Sequence, residues 1–102
     1  MDYQIIKQPS AGVLRMLESR SVVRDFWQSR SFDTIGLVQG KLLDMVAAAD
    51  IAEKASDVGA LEIKGICPQH FAMIAIFGDT AAVVEAIEQI KAQFQRSERS
   101  EA

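Results

Sequence analysis

Apolar positions along the chain fall into blocks with distinct periods. Tyr3–Lys7 is rich in β-formers and closed by Pro9, which predicts a short first strand. Ser10 is placed to cap a helix, and Val13, Leu14 and Leu17 follow at helical spacing, predicting a helix from Ala11 to about Arg20. Ser21–Ser31 admits two readings. Val22, Val23, Phe26 and Trp27 would share one helical face with Arg24, Asp25 and Arg30 toward solvent, or the segment is a long irregular connection. Trp27 is read as packing over the core rather than as a partner surface. Phe32–Val38 predicts a second strand, ended by Gly40. Leu42, Met45, Val46, Ala49 and Ala52 then predict an amphipathic helix through about Ala55, with Ala47, Ala48 and Ala49 allowing it to lie close to a sheet.

After a turn at Val58-Gly59, the stretch Ala60–Phe77 reads as strand, loop, strand, with Gly65-Ile66-Cys67-Pro68-Gln69-His70 at its tip. Its second arm, Phe71–Phe77, is apolar on both faces, which predicts a strand buried in the middle of a sheet. Gly78-Asp79-Thr80 offers a cap, and Val83, Ile87, Ile90 and Phe94 mark a last helix at spacings of 4, 3 and 4. The charged tail from Arg96 is predicted to be disordered.

The element order is β-α, a connection, then β-α-β-β-α. It predicts an α/β (α+β) fold: a four-stranded antiparallel sheet of the split βαβ kind with helices on one face. The extra β-α unit at the front fits a circularly permuted version of that plan. A single domain over residues 1–95 follows, with 21–31 as a connecting insertion and 96–102 as a tail.

At 102 residues and 49% hydrophobic content, the chain has enough apolar surface for one core. A net charge of -3 with dispersed basic residues argues against nucleic acid, whose backbone demands a dense basic face. One cysteine forms no internal disulfide, which points to a reducing cytoplasm. The start, MDYQIIKQPSAG, has no secretion pattern, and no apolar run approaches the roughly 20 residues that span a bilayer, so a soluble chain is expected.

The hairpin tip holds the only cysteine, the only histidine and one of two prolines. Cys67 is a candidate nucleophile with His70 as base, but no third group to orient the ring can be read from the chain. It is a candidate metal or cluster ligand only if several subunits pool their cysteines, because one chain has no CxxC spacing. The plain alternative is a small, hydrophobe-like cysteine, with His70 a polar residue at a strand start. Gly36 and Gly40 flank a strand–helix junction, yet neither GxGxxG nor GK[ST] occurs, so a phosphate site has weak support. Asp44, Asp50, Glu53 and Asp57 form no paired-carboxylate constellation, and Lys41 reads as solvated.

The run GLVQGKLLDMVAAADIAEKASDV (Gly36–Val58), the hairpin, and FGDTAAVVEAIEQI (Phe77–Ile90) occur in the order seen in one known family. Over Ile35–Ile90 the chain resembles the bacterial microcompartment (BMC) shell domain. With ICPQ and AIFGDTAAV, it looks more closely like the permuted shell proteins of glycyl-radical-enzyme microcompartments, the GrpU type. The leading Tyr3–Arg20 unit fits the permutation, since such proteins carry at the front what ordinary members carry at the end.

The resemblance implies a non-enzymatic homo-hexamer that tiles laterally with other shell proteins around encapsulated enzymes in the cytoplasm. It places Gly65, Ile66, Cys67, Pro68 and Gln69 around a central pore and makes Lys41 similar to the family's edge lysine, which packs across tile boundaries. Members with cysteine in this loop are associated with an iron–sulfur cluster on the axis. That implies a cluster held through Cys67, with [4Fe–4S] the form considered and electron transfer across the wall one use of it. The alternative is a small oligomeric regulator of ferredoxin-like plan that binds a metabolite between subunits. An enzyme using Cys67 and His70 ranks third.

Overall fold

The computed structural model describes residues 1–21, 32–65 and 71–101, with side chains as far as Gln95. The readings offered for 22–31 therefore lie outside the described residues. The described elements are β1 (Asp2–Lys7), α1 (Ala11–Ser19), β2 (Thr34–Lys41), α2 (Leu42–Ala55), β3 (Gly59–Ile63), β4 (Phe71–Gly78) and α3 (Thr80–Glu101). The strands form one antiparallel four-stranded sheet in the order β1-β2-β4-β3. β4 thus lies between β2 and β3, as its two apolar faces predict.

A central strand has two faces to cover, and the register assigns them. Gly36 pairs with Ile76 and Val38 with Ile74 on one face, while Ile35 pairs with Phe77 and Leu37 with Ala75 on the other. The first face carries Val38, Ile74 and Ile76 against Met45, Ala48 and Ala52 of α2 and Val83, Ala86, Ile87 and Ile90 of α3. On the second face, Leu17 of α1 closes over Ile35, Ile63, Ala75 and Phe77, and the Phe32 ring tilts onto Phe77 at 5.4 Å. The helices therefore do not share one face, as the element order led one to expect. β2 and β4 are apolar on both sides, so a sheet covered on one side only would leave Ile35 and Phe77 in water.

Other boundaries also differ from expectation. β2 continues through Gly40 to Lys41, and α2 begins at the next residue. Gly40 stays in the strand, paired with Ala72 of β4, and a Cβ there would come within 3.3 Å of Met45 and 3.5 Å of Met1. The core side of α2 is Met45, Ala48 and Ala52, whereas Leu42 and Val46, expected in the buried stripe, are 44% and 65% exposed. Of the three alanines expected to let α2 approach the sheet, Ala48 is buried, Ala49 half-buried and Ala47 exposed. At the other end of the chain, α3 runs on to Glu101, through residues for which the charged tail predicts disorder. A nucleated helix extends at little cost through good helix formers such as Arg and Glu.

The caps match the sequence pattern. Ser10 Oγ accepts from the Val13 N–H at 3.3 Å, and Asp79 Oδ1 accepts from the Ala82 N–H at 2.8 Å. Beside the second cap, the fully buried Thr34 hydroxyl donates to Asp33 Oδ1 at 3.1 Å and lies 2.6 Å from the Thr80 hydroxyl. These bonds fix the start of β2 to the start of α3. Ser56 Oγ donates to the Ala82 carbonyl at 2.7 Å, tying in the end of α2, and the Lys91 ammonium lies 5.0 Å from the Tyr3 ring centroid, joining β1 to α3. After α1, Lys64 N–H donates to the Arg20 carbonyl at 2.7 Å and Ser21 bridges Ile63, so the chain runs beside the outer edge of β3.

Gly36 sets the distance between α3 and the sheet, since a Cβ there would stand 2.6 Å from Ile87 Cδ1 and 3.0 Å from Val83 Cγ1. Gly36→Val is expected to cost about 1–3 kcal/mol by overpacking, read as a lower midpoint in chemical denaturation at matched protein concentration. A variant as stable as the parent would show that α3 does not seat at this glycine. Asp79→Ala should cost about 1 kcal/mol in the same assay through loss of its cap.

Candidate functional site

The β3–β4 hairpin positions the candidate loop. Its last pair is Ile63 with Met73, after which Lys64 and Gly65 leave the sheet exposed to solvent. Four of the five residues expected at a pore, Ile66, Cys67, Pro68 and Gln69, lie outside the described residues, as does His70. The chain returns at Phe71, which pairs with Lys41 at the end of β2. Gly65, the remaining expected pore residue, therefore stands at the root of a loop that leaves and re-enters at one end of the sheet.

That end gathers several features. β2 finishes there at Lys41, and α2 starts there with Leu42 and Leu43. β1 also begins there, with Asp2 opposite Gln39. Lys41 is the exposed N-cap of α2 and its side chain makes no capping bond. The register thus sets Lys41, expected at a tile edge, at the same end as the expected pore loop.

Two grooves flank α2. One, of about 220 Å³, runs between α2 and the β3–β4 pair and is lined by Leu42, Met45, Val46, Ala49, Leu61 and Ile74 among others. The second, of about 360 Å³, lies between α2 and α3 and is polar, with Asp50, Lys54, Glu85 and Gln89 on its walls. Lys54 and Asp50 pair there at 2.8 Å, both largely solvated, which contributes little to stability. Gly36, weighed as part of a phosphate-binding junction, has the Ile87 and Val83 side chains where a phosphate would enter. Among the described residues, no group of three or more His, Cys, Asp or Glu is placed to hold a metal ion. No described helix is long and apolar enough to cross a membrane.

The hydrophobic period did not reveal the outward side of α2. Leu43 is 82% exposed and Val46 65%, on a helix with so few polar residues that spacing alone does not say which side meets the core. A signal was present nonetheless: LLDMVAAADIA is apolar at almost every position, which is the composition of a helix covered all round.

Comparison with known proteins fits this architecture. The family model of the BMC domain matches residues 34–101. The ligand-free GrpU microcompartment shell protein from Clostridiales bacterium 1_7_47FAA is 40% identical, with a TM-score of 0.67 over 89% of this chain and 88% of its own. The ligand-free GrpU microcompartment shell protein from Pectobacterium wasabiae is 34% identical, with a TM-score of 0.73 over 88% of this chain and 99% of its own. The fused permuted hexameric shell protein MSM0275 from the RMM microcompartment, at 16% identity and a TM-score of 0.71, covers 92% of this chain and 45% of its own, and shows the shared fold alone. A search of curated proteins gives no match. The matched segment starts at Thr34, so β1 and α1 precede it in sequence while β1 completes the sheet beside β2. With its BMC-domain match and its likeness to the GrpU proteins over nearly its whole length, the chain belongs to the BMC-domain family of microcompartment shell proteins and is a structural wall component, not an enzyme.

Proposed function

We propose that this shell protein closes into a homo-hexameric ring with the Gly65–Gln69 loop around its axis, and that Cys67 thiolates from several subunits bind an iron–sulfur cluster there. Two facts support this: the sole cysteine falls in sequence between β3 and β4, and the chain leaves the sheet after Ile63 and re-enters it at Phe71 at the same end. The donor set fits such a group in its chemistry, since thiolate is the usual cluster ligand. It fits only as a shared set. A [4Fe–4S] cluster takes up to four cysteines and this chain supplies one. Sixfold symmetry must then be broken, with some thiols left free, or alternate subunits must supply three ligands and another group the fourth.

When bound, the cluster would supply one-electron chemistry at the wall. The chain's part is to hold the thiolates on a hairpin anchored by buried Ile63 and Ile74. Without a cluster, the same opening would serve as a metabolite channel bordered by Gln69 and backbone groups. Lateral packing against other shell proteins, with enzymes enclosed, belongs to the same proposal. So does a contact across tile boundaries for Lys41, which is exposed at the end of β2 opposite Phe71. Family membership weighs against the metabolite-binding regulator. A regulator would stop at a closed oligomer with ligand-dependent stability, whereas a tile associates edge to edge.

Purified without oxygen, the protein should carry iron and sulfide and absorb in the visible range through sulfur-to-iron charge transfer. Cys67→Ser should abolish both while native mass spectrometry still shows the ring. Colourless, iron-free hexamers after anaerobic reconstitution would remove the cluster, and a closed oligomer that never forms sheets would remove the tile.

A further inference from the structure

Of the three described helices, α1 is the least secured. It has nine residues, one cap from Ser10 at 3.3 Å, and neither an acidic side chain in its first turn nor a basic one in its last. A helix of that length gains little from its own hydrogen bonds and depends on what it packs against. Its only buried side chain is Leu17, with Val13 and Leu14 half-buried beside it, whereas α3 buries Val83, Ala86, Ile87 and Ile90. The chain enters α1 through Gln8, whose φ of 48° lies in the left-handed region that a side chain disfavours. The Gln8 N–H donates to the Asp33 carbonyl at 2.6 Å.

At its other end α1 is fastened to β3. The Arg20 and Ser21 N–H groups donate to the Leu17 and Glu18 carbonyls, each at 3.1 Å, and the Arg20 carbonyl accepts from the Lys64 N–H at 2.7 Å. Ser21 also bridges Ile63. The end of α1 thus lies against the outer edge of β3 at the point where the chain leaves the sheet through Lys64 and Gly65.

We infer that α1, with Arg20 and Ser21, is a strap that opens as a unit while the sheet stays folded, and that its opening frees the end of β3 at Lys64. The two events are one movement, because Leu17, which seats the helix, and Arg20, which holds Lys64, are three residues apart. Opening relaxes the left-handed Gln8. It gives up the contacts of Leu17, Val13 and Leu14 with the core around Ile35, Ile63 and Phe77. The pairing of β2 with β4 and the core under α2 and α3 remain. The strap therefore opens more readily than the molecule unfolds. Whether the end of β3 is held or free is set by α1, independently of any ring or cluster.

Hydrogen exchange of the protein as purified, resolved to single amides, tests this. The Ile76 amide, in the middle of the sheet, exchanges with global unfolding. Ile90→Val weakens the core that persists in the opened state, so exchange should rise about fivefold at Ile76 and stay at the parent's rate at Ser21 and Lys64. Leu17→Ala weakens the seat of the strap and should raise Ser21 and Lys64 together, by about tenfold or more. Lys64 unmoved by Leu17→Ala would overturn the inference, as would Ser21 and Lys64 rising in step with Ile76 in Ile90→Val. Should Leu17→Ala fail to fold, the parent in dilute denaturant decides. Ser21 and Lys64 are expected to share one opening free energy, lower than that of Ile76 and nearly independent of denaturant, and separate values for the two would overturn the inference.

Discussion

The antiparallel pairing of β2 with β4 is the constraint on which the other elements depend. Both strands are apolar on both faces, so neither can sit at an edge or leave a face in water. Their alternation produces two cores back to back, one around Val38, Ile74 and Ile76, the other around Ile35, Ala75 and Phe77. β1 and β3 are then flanking strands, and three helices are needed: two on the first face and α1 on the second. Gly36 lets α3 come in over β2 with Ile87 and Val83 occupying the space of the missing side chain.

The same pairing gives the sheet two unlike ends. At one, Thr34, Asp33, Thr80 and the Asp79 cap tie β2 to α3 through short side-chain bonds. Their hydroxyl and carboxylate groups bond one another and the start of α3 within the subunit. At the other, the ends of β3 and β2, the start of β4 at Phe71 and the apolar start of α2 stand together, with Leu43 and Val46 largely in water. The two ends of the sheet therefore differ: one is tied together by side-chain bonds, and the other carries exposed apolar residues.

The composition of α2 changes along its length. Alanines at 48 and 52 admit a close approach to the sheet, while Leu43 and Val46 on the outer side are 82% and 65% exposed. The polar groove toward α3, with Asp50, Lys54, Glu85 and Gln89, shows how differently the helix's C-terminal half is dressed. One helix thus has an apolar start and a solvated finish.

The sequence by itself determined the elements and their type. Strand and helix periods, the Ser10 and Asp79 caps and the buried nature of Phe71–Phe77 are local properties of the chain, and the order of its motifs carried the family. Placement was decided by tertiary structure. Which face α1 would cover followed from two strands needing shelter on both sides. Gly40 remained in its strand because β4 pairs with it through Ala72. The core stripe of α2 was only partly legible: Met45 and Ala52 were expected in it and are buried, but the nearly unbroken apolar run from Leu42 to Ala49 blurred the period, and the sheet beneath took Ala48 rather than Leu42 and Val46. Lys41 shows the same division. Its exposure was plain from the sequence, but its position opposite Phe71 comes from strand register, which long-range pairing fixes and local pattern does not.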